Sequence, residues 1–599
     1  MPARISSRTL RAIAAVTSAC AVGAVAAGTA VAASKVVTPP RVTSHLKFGG
    51  TVNLIALAAR SGHATSTSAS RPASPLRAKS RPPAAAIRFA NPNPPPILLQ
   101  ALSGPPVGFV GLTAADSGAV NGVDVEPPDQ GLCATGNTVV EPVNLAVAVY
   151  TESGITLLHP VSLNSFFGLA PAVSNNGRTT TYGPFLSDPR CYYDAQTDRW
   201  FLTVLEIDVN PTTGAMGYRS SELIAVSQTS DPTGSYGLFS IDTTNDGTDS
   251  TPAQPNCPCF GDQPRIGADA NGFYISTDSY PIHGLFNSNG GMLYAMSKQG
   301  LAAAATGSAP PPPVVSIQIG AIIIGGYPAN AVQPAETPQG GTYATDREYF
   351  LSTPDFNGFA TMGGAGANSV VLWTLLGTST LSSSPSGVTL TNAIVPSEPF
   401  TPPVAATQRT GPHPLGESLG DSVQPISVND DRMQQVEYLN GNVYSSLNTG
   451  VGSAAATRSG VAWFDVKTDN TNGTVADQGY LATGSGASLM YPAIGLETSG
   501  KGAMTFSISG PNTYPSAAYI PFNQAPSGGA ILVASPGVLP EDGFTCYVQF
   551  GFGPPCRWGD YSAASSDGSG HIVIGDEMIA NSARDPLANW DTYISTITP

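Results

Sequence analysis

A short phrase returns along this chain at a near-constant spacing, and that limits what the chain can fold into. Its clearest copy is Gly261-Asp262-Gln263-Pro264-Arg265-Ile266-Gly267-Ala268-Asp269. Related phrases run 188–194, 332–336, 423–430, 491–497 and 558–567. With Pro189, Pro264, Pro334, Pro425, Pro492 and Ser562 as markers, the steps are 75, 70, 91, 67 and 70 residues. A fixed period in a chain of short strands implies stacked or circular repeats, each burying its apolar face against the next.

One repeat can be parsed in full. Cys191-Tyr192-Tyr193 reads as a short strand, followed by a turn over 194–198. Strands follow over 200–207 and 222–228, then a tight turn at Ser230-Asp231-Pro232-Thr233-Gly234 and a fourth strand over 236–241. Four antiparallel strands in one repeat make a propeller blade. The chain is therefore expected to be all-β, a seven-bladed β-propeller, with six blades as the alternative. Three strands are visible in the last repeat, so 107–112 or the first repeat is expected to complete it and remove an exposed edge.

The flanking composition divides the chain into three parts: a signal peptide over 1–32, a disordered linker over 33–105 and the propeller over 106–599. Arg4, Arg8 and Arg11 precede an Ala/Val run that ends in the small residues Ala30-Val31-Ala32, the pattern of a secretory signal. Export to the extracellular space is expected, with a cell-surface lipoprotein through Cys20 as the minor alternative. The linker is rich in Ala, Pro and Ser and basic, and is read as either a tether to an anionic wall or a plain spacer. No later stretch is apolar for long enough to form a transmembrane helix.

Residues 1–115 hold no Asp or Glu, so all 41 acidic residues crowd the propeller beside 14 basic ones. That charge argues against nucleic acid as a partner. An extracellular glycan or protein is the expected one.

Six cysteines follow the signal, an even count that suggests three disulfides. Cys546 and Cys556 flank a Gly/Pro turn and form the preferred pair. Cys257 and Cys259, one residue apart, are expected to avoid each other and to reach Cys133 and Cys191 in either order.

The phrases resemble those of exported, largely uncharacterised bacterial β-propellers similar in fold to the sialidase (neuraminidase) superfamily. The carrying residues are Asp188 to Asp194 with Arg199-Trp200, and Arg557-Trp558-Gly559-Asp560-Tyr561-Ser562. Ser230 to Gly234 and Ser566-Asp567-Gly568-Ser569-Gly570 are similar to a sialidase Asp box, though neither is followed by its Thr-Trp pair. The resemblance implies a ligand site at the channel mouth. The candidates are Asp188, Arg190, Asp262, Arg265, Asp421, Arg557 and Asp560. The arginines would grip a carboxylate, as planar guanidinium forks do. The competing reading has these residues bonding repeat to repeat and setting the packing. No Tyr-Glu nucleophile pair is identifiable by spacing.

Two further motifs are weaker. Asp242, Asp246 and Asp249 cluster around Gly247 and suggest Ca²⁺, although position twelve is Ala253 where an EF-hand has Glu. No other cofactor is expected. Gly416-Glu417-Ser418-Leu419-Gly420 matches a nucleophile elbow but lacks the strand before it. The sequence thus favours a secreted binding or surface protein, with a sialidase-like glycoside hydrolase as the alternative.

Overall fold

A computed structural model describes residues 31–59, 89–101, 108–284, 288–354, 366–452, 456–580 and 584–599. Most of the expected signal peptide, Cys20 included, lies outside the described residues. So does the linker over 60–88 and 102–105.

The chain is an all-β propeller. Among the described residues, the strands form seven antiparallel four-stranded units in chain order. Unit 2 is representative: Phe185–Asp194, Arg199–Val209, Met216–Ser227 and Ser235–Asp242. The first strands of units 2 to 7 touch in succession, and the first strand of unit 7 touches that of unit 1, which in turn meets unit 2. Units 4 and 5 are also joined by a short parallel pairing, Ala335 with Val436 and Glu336 with Glu437. Residues 108–113 pair with Asp591–Ile597 and complete the last unit, one of the two closures expected.

The repeated phrase encodes a bulge in the inner strand. The ladder slips between Ser187 and Arg190, Asp262 and Arg265, and Met490 and Ala493. Pro189, Pro264 and Pro492 stand at these slips, where no ladder N–H is needed. The residue before each proline, Asp188, Gln263 or Tyr491, takes a positive φ. That turn aims its N–H back at the preceding unit.

The phrase at 423–430 is corrected. Pro425 lies in a loop that bridges Ala406 and Cys556, and the inner strand of unit 5 is Met433–Leu439. Counted to Gln435, which stands where the other units have proline, the step from Pro334 becomes 101 residues and the next one 57.

The linker expectation is also corrected over its described residues. Lys35–Val37, Arg41–His45 and Lys47–Asn53 add fifth strands to the outer edges of units 4, 3 and 2. Leu98–Ala101 does the same for unit 6, in parallel. Val36, Val37, Val42, Thr43, Thr51 and Val52 supply the β-branched residues that such strands favour.

The disulfides are Cys133–Cys191, Cys257–Cys259 and Cys546–Cys556. The last was expected; the other two are a correction. Cys133 and Cys191 stand on neighbouring inner strands, with Cα atoms 5.3 Å apart, a natural bridging distance. The Cα atoms of Cys257 and Cys259 come within 4.4 Å, so they reach each other directly. Three disulfides fit an oxidising, extracellular compartment. Among the described residues, no helix is long and apolar enough to cross a membrane.

Candidate functional site

All the inner strands run the same way, so the axis has two chemically distinct ends. Where the strands begin, Asp129, Asp188, Asp262 and Asp560 are buried together. Burial pushes the first three carboxyls up to about 7 and Asp560 to about 6, and mutual repulsion adds to the shift. Arginines are interleaved with them, each tied down. Arg265 pairs with Asp278 at 2.9 Å and donates to Gln263. Arg557 lies 3.6 Å from Asp560. Arg432, which the sequence reading passed over, is forked onto Asp430 and also reaches Gln263.

Backbone clasps run between the units. Asp188 N–H donates to Asn144 Oδ1 (2.8 Å), Gln263 N–H to Asp188 Oδ2 (3.2 Å) and Tyr491 N–H to Asn448 Oδ1 (2.7 Å). Six of the seven sequence candidates therefore gather round the axis, with side chains engaged inside or between units. The arginine clamp is corrected, because Arg190, Arg265 and Arg557 do not converge on one open site. Asp421 is the seventh. It follows the short helix Pro414–Leu419 and accepts from Gln549 in a peripheral loop.

The calcium expectation meets other partners. Asp242 accepts from Thr244 N–H, and Asp246 accepts from both the N–H and the hydroxyl of Thr248. Asp249 faces Lys47 and Arg219 at 3.8 and 3.9 Å. These are turn-forming and surface contacts. The elbow-like serine, Ser418, sits in the helix and donates to Leu415 O.

At the other end of the axis the inner strands finish. Glu336 and Glu437 are register partners there, on adjacent parallel strands. Burial pushes Glu336 up to about 8, opposed by Arg190. Burial and then the neighbouring Glu336 push Glu437 well above the usual carboxyl range. Glu437 Oε1 accepts from Gln435, whereas its Oε2 is buried with no hydrogen-bond partner. Arg190 lies beneath, bonded through Nε to Pro264 O and stacked 3.2 Å above the Tyr561 ring.

The 337–341 loop crosses this end. Gln339 donates to Ala134 O and Ser566 O, so unit 4 is tied to units 1 and 7. A cavity of about 210 Å³ lies against the loop, lined by Tyr192, Tyr193, Gln196, Gln339 and Tyr343. A smaller one of about 20 Å³ borders Glu336, Glu437 and the same two tyrosines, Tyr192 and Tyr193.

The sequence reading quoted Glu336 without singling it out and missed Glu437. A signal was present: Gln333-Pro334-Ala335-Glu336 parallels Gln434-Gln435-Val436-Glu437.

No family model and no curated protein matches the chain. Solved structures do match, and those named here do so at low identity. An exo-β-1,3-galactanase from Clostridium thermocellum is 10% identical, covering 82% of this chain and 100% of its own, with a TM-score of 0.28. An arabinanase from Bacillus subtilis is 11% identical over 57% of this chain and 94% of its own, with a TM-score of 0.26. An exo-β-1,3-galactanase from Phanerochaete chrysosporium, solved with galactose, is 10% identical over 71% and 92%, with a TM-score of 0.26. A superposition this loose transfers no residue role or substrate.

The expected ranking, a non-catalytic binding protein ahead of a hydrolase, is corrected here. The solved structures named above are glycoside hydrolases. In this chain Glu336 and Glu437 stand side by side, a carboxyl pair rather than the Tyr-Glu pair of the sialidase resemblance.

Proposed function

We propose that the chain is a seven-bladed propeller carrying a glycoside hydrolase site where the inner strands end. The seven four-stranded units and the contact of the last with the first favour seven blades over six. The observation that carries the activity is the side-by-side placement of Glu336 and Glu437.

Glycoside hydrolysis needs one protonated carboxyl to donate to the leaving oxygen and one carboxylate to attack or to activate water. Two close carboxyls divide these roles because they cannot both ionise easily. Both carboxyls are raised, but Arg190 opposes the rise only at Glu336, so Glu336 is the first of the pair to ionise and acts as the carboxylate once it does. Glu437 has no such cation among its main influences and keeps its proton, which makes it the acid. The 210 Å³ cavity shares Tyr192, Tyr193 and Gln339 with the smaller one that borders both glutamates, so a sugar held in the larger would reach the pair through the smaller.

The test is a panel of aryl glycosides and polysaccharides, read by sugar release, with wild type, Glu336→Gln and Glu437→Gln. Release by wild type that falls at least about 100-fold in both variants is expected. No release from any substrate, or release that survives both changes, would overturn the proposal.

A further inference from the structure

The turn Ser566 to Gly570 was singled out in the sequence, and the proposed hydrolase site does not use it. It lies at the same end of the axis, between the first and last units. Asp567 Oδ1 accepts from the N–H groups of Ser569 and His571. Its Oδ2 stands 3.0 Å from His571 Nδ1. Glu152, from the turn after Ala146–Thr151 in unit 1, reaches across to them. One ligand atom from each of Glu152, Asp567 and His571 lies within 4.8 Å of the other two. Asp567 is buried, and Glu152 Oε1 is shielded from solvent without a hydrogen-bond partner. A third carboxylate, Glu497, is held alongside by the hydroxyl of Ser566 at 2.9 Å.

We propose that Glu152, Asp567 and His571 bind a divalent first-row cation, zinc foremost. One imidazole and two carboxylates suit such an ion, and a water would complete a four-coordinate shell. The ion would take the place of the proton that His571 Nδ1 now shares with Asp567. It would also satisfy Glu152 Oε1 and offset the crowding of three carboxylates beside one imidazole. Because Glu152 belongs to unit 1 and Asp567 to unit 7, the ion would staple the junction where the ring closes. The N–H of Gly136 already bonds there to Asp567 O.

The full chain, stripped with chelator, is titrated with zinc chloride by calorimetry, and its melting temperature is followed in parallel. One equivalent bound with a rise in melting temperature is expected, since an ion that binds only the folded state stabilises it. His571→Ala and Glu152→Gln, with folding checked by circular dichroism, should each weaken binding by at least about tenfold. Absence of zinc uptake and of any thermal shift in the wild type overturns the proposal without reference to a variant. Equal uptake by both variants overturns it as well.

Discussion

Asn448 Oδ1 accepts the backbone N–H of Tyr491 at 2.7 Å, so that unit 5 holds the bulge of unit 6. Asn144 does the same for Asp188, between units 1 and 2. A positive φ turns each donor out of its own ladder, and the preceding unit must supply the acceptor. Asn448 also donates to Val428 O. Asn448→Ala should leave the buried Tyr491 N–H without a partner and cost about 1–3 kcal/mol. Asn448→Asp keeps the acceptor and should recover part of the loss. Urea titration of the three proteins reads the difference, and a silent alanine would show that the clasp does not hold the units together.

Among the described residues, Arg265 and Asp278 form the most deeply buried arginine pair, at 2.9 Å with almost no exposure on either side. Removing one charge strands the other in a low-dielectric interior. Arg265→Met should therefore cost about 3–5 kcal/mol. Asp278→Asn in the same chain should restore most of it, because Asp278 Oδ1 accepts from Ala331 N–H and an amide oxygen still can. Denaturant midpoints of the two single variants and the double variant check this. Additive losses would mean that the pair is not coupled.

Stability should rise as the solution is acidified. Glu126, Asp129, Glu141, Asp188, Asp262 and Asp576 are all pushed up to about 7, and Asp560 to about 6, with burial as the first cause. A carboxyl raised in the folded state binds its proton more tightly there than in the unfolded chain. Its contribution is fully present below about pH 4 and is lost as pH climbs through about 6 to 7. Asp246 and Asp567 are lowered and act in the opposite sense, but they are fewer. The melting temperature should be higher at pH 5 than at pH 8 by about 5 °C. A flat or inverted profile would contradict the raised state of these buried carboxyls.

The repeats were legible because units 2, 3 and 6 each carry a Pro at a bulge of the inner strand, a local requirement written in consecutive letters. Unit 5 escaped for the same reason: its bulge at Gln434-Gln435 has no proline, and a proline in a nearby loop imitated one. The pairing of Glu336 with Glu437 was out of reach of spacing alone. It depends on two inner strands some hundred residues apart lying parallel, which only the assembled ring creates. Cys257 illustrates a different limit. Strain arguments ruled out its neighbour Cys259, whereas the folded backbone sets their Cα atoms 4.4 Å apart. The N-terminal strands were lost to averaging. Their β-branched residues are few beside the Ala, Pro and Ser that surround them.

Those N-terminal strands should protect the propeller from association. Lys35–Val37, Arg41–His45 and Lys47–Asn53 each cover the outermost strand of a unit. An uncovered outer strand presents a row of unpaired N–H and C=O groups to any neighbouring chain. The strap is also anchored beyond its ladders. Ser34 N–H donates to Asn472 Oδ1 in unit 5, and Arg41 donates to Val388 O in unit 4. A chain starting at residue 60 keeps all seven four-stranded units but bares three edges. Size-exclusion chromatography with light scattering should show concentration-dependent association of that chain, and limited proteolysis should cut units 2 to 4 first. Each unit retains its own four strands, so far-ultraviolet circular dichroism should change little. A truncated chain that stays as monodisperse and as protease-resistant as the full one would show that the strap is dispensable for edge protection.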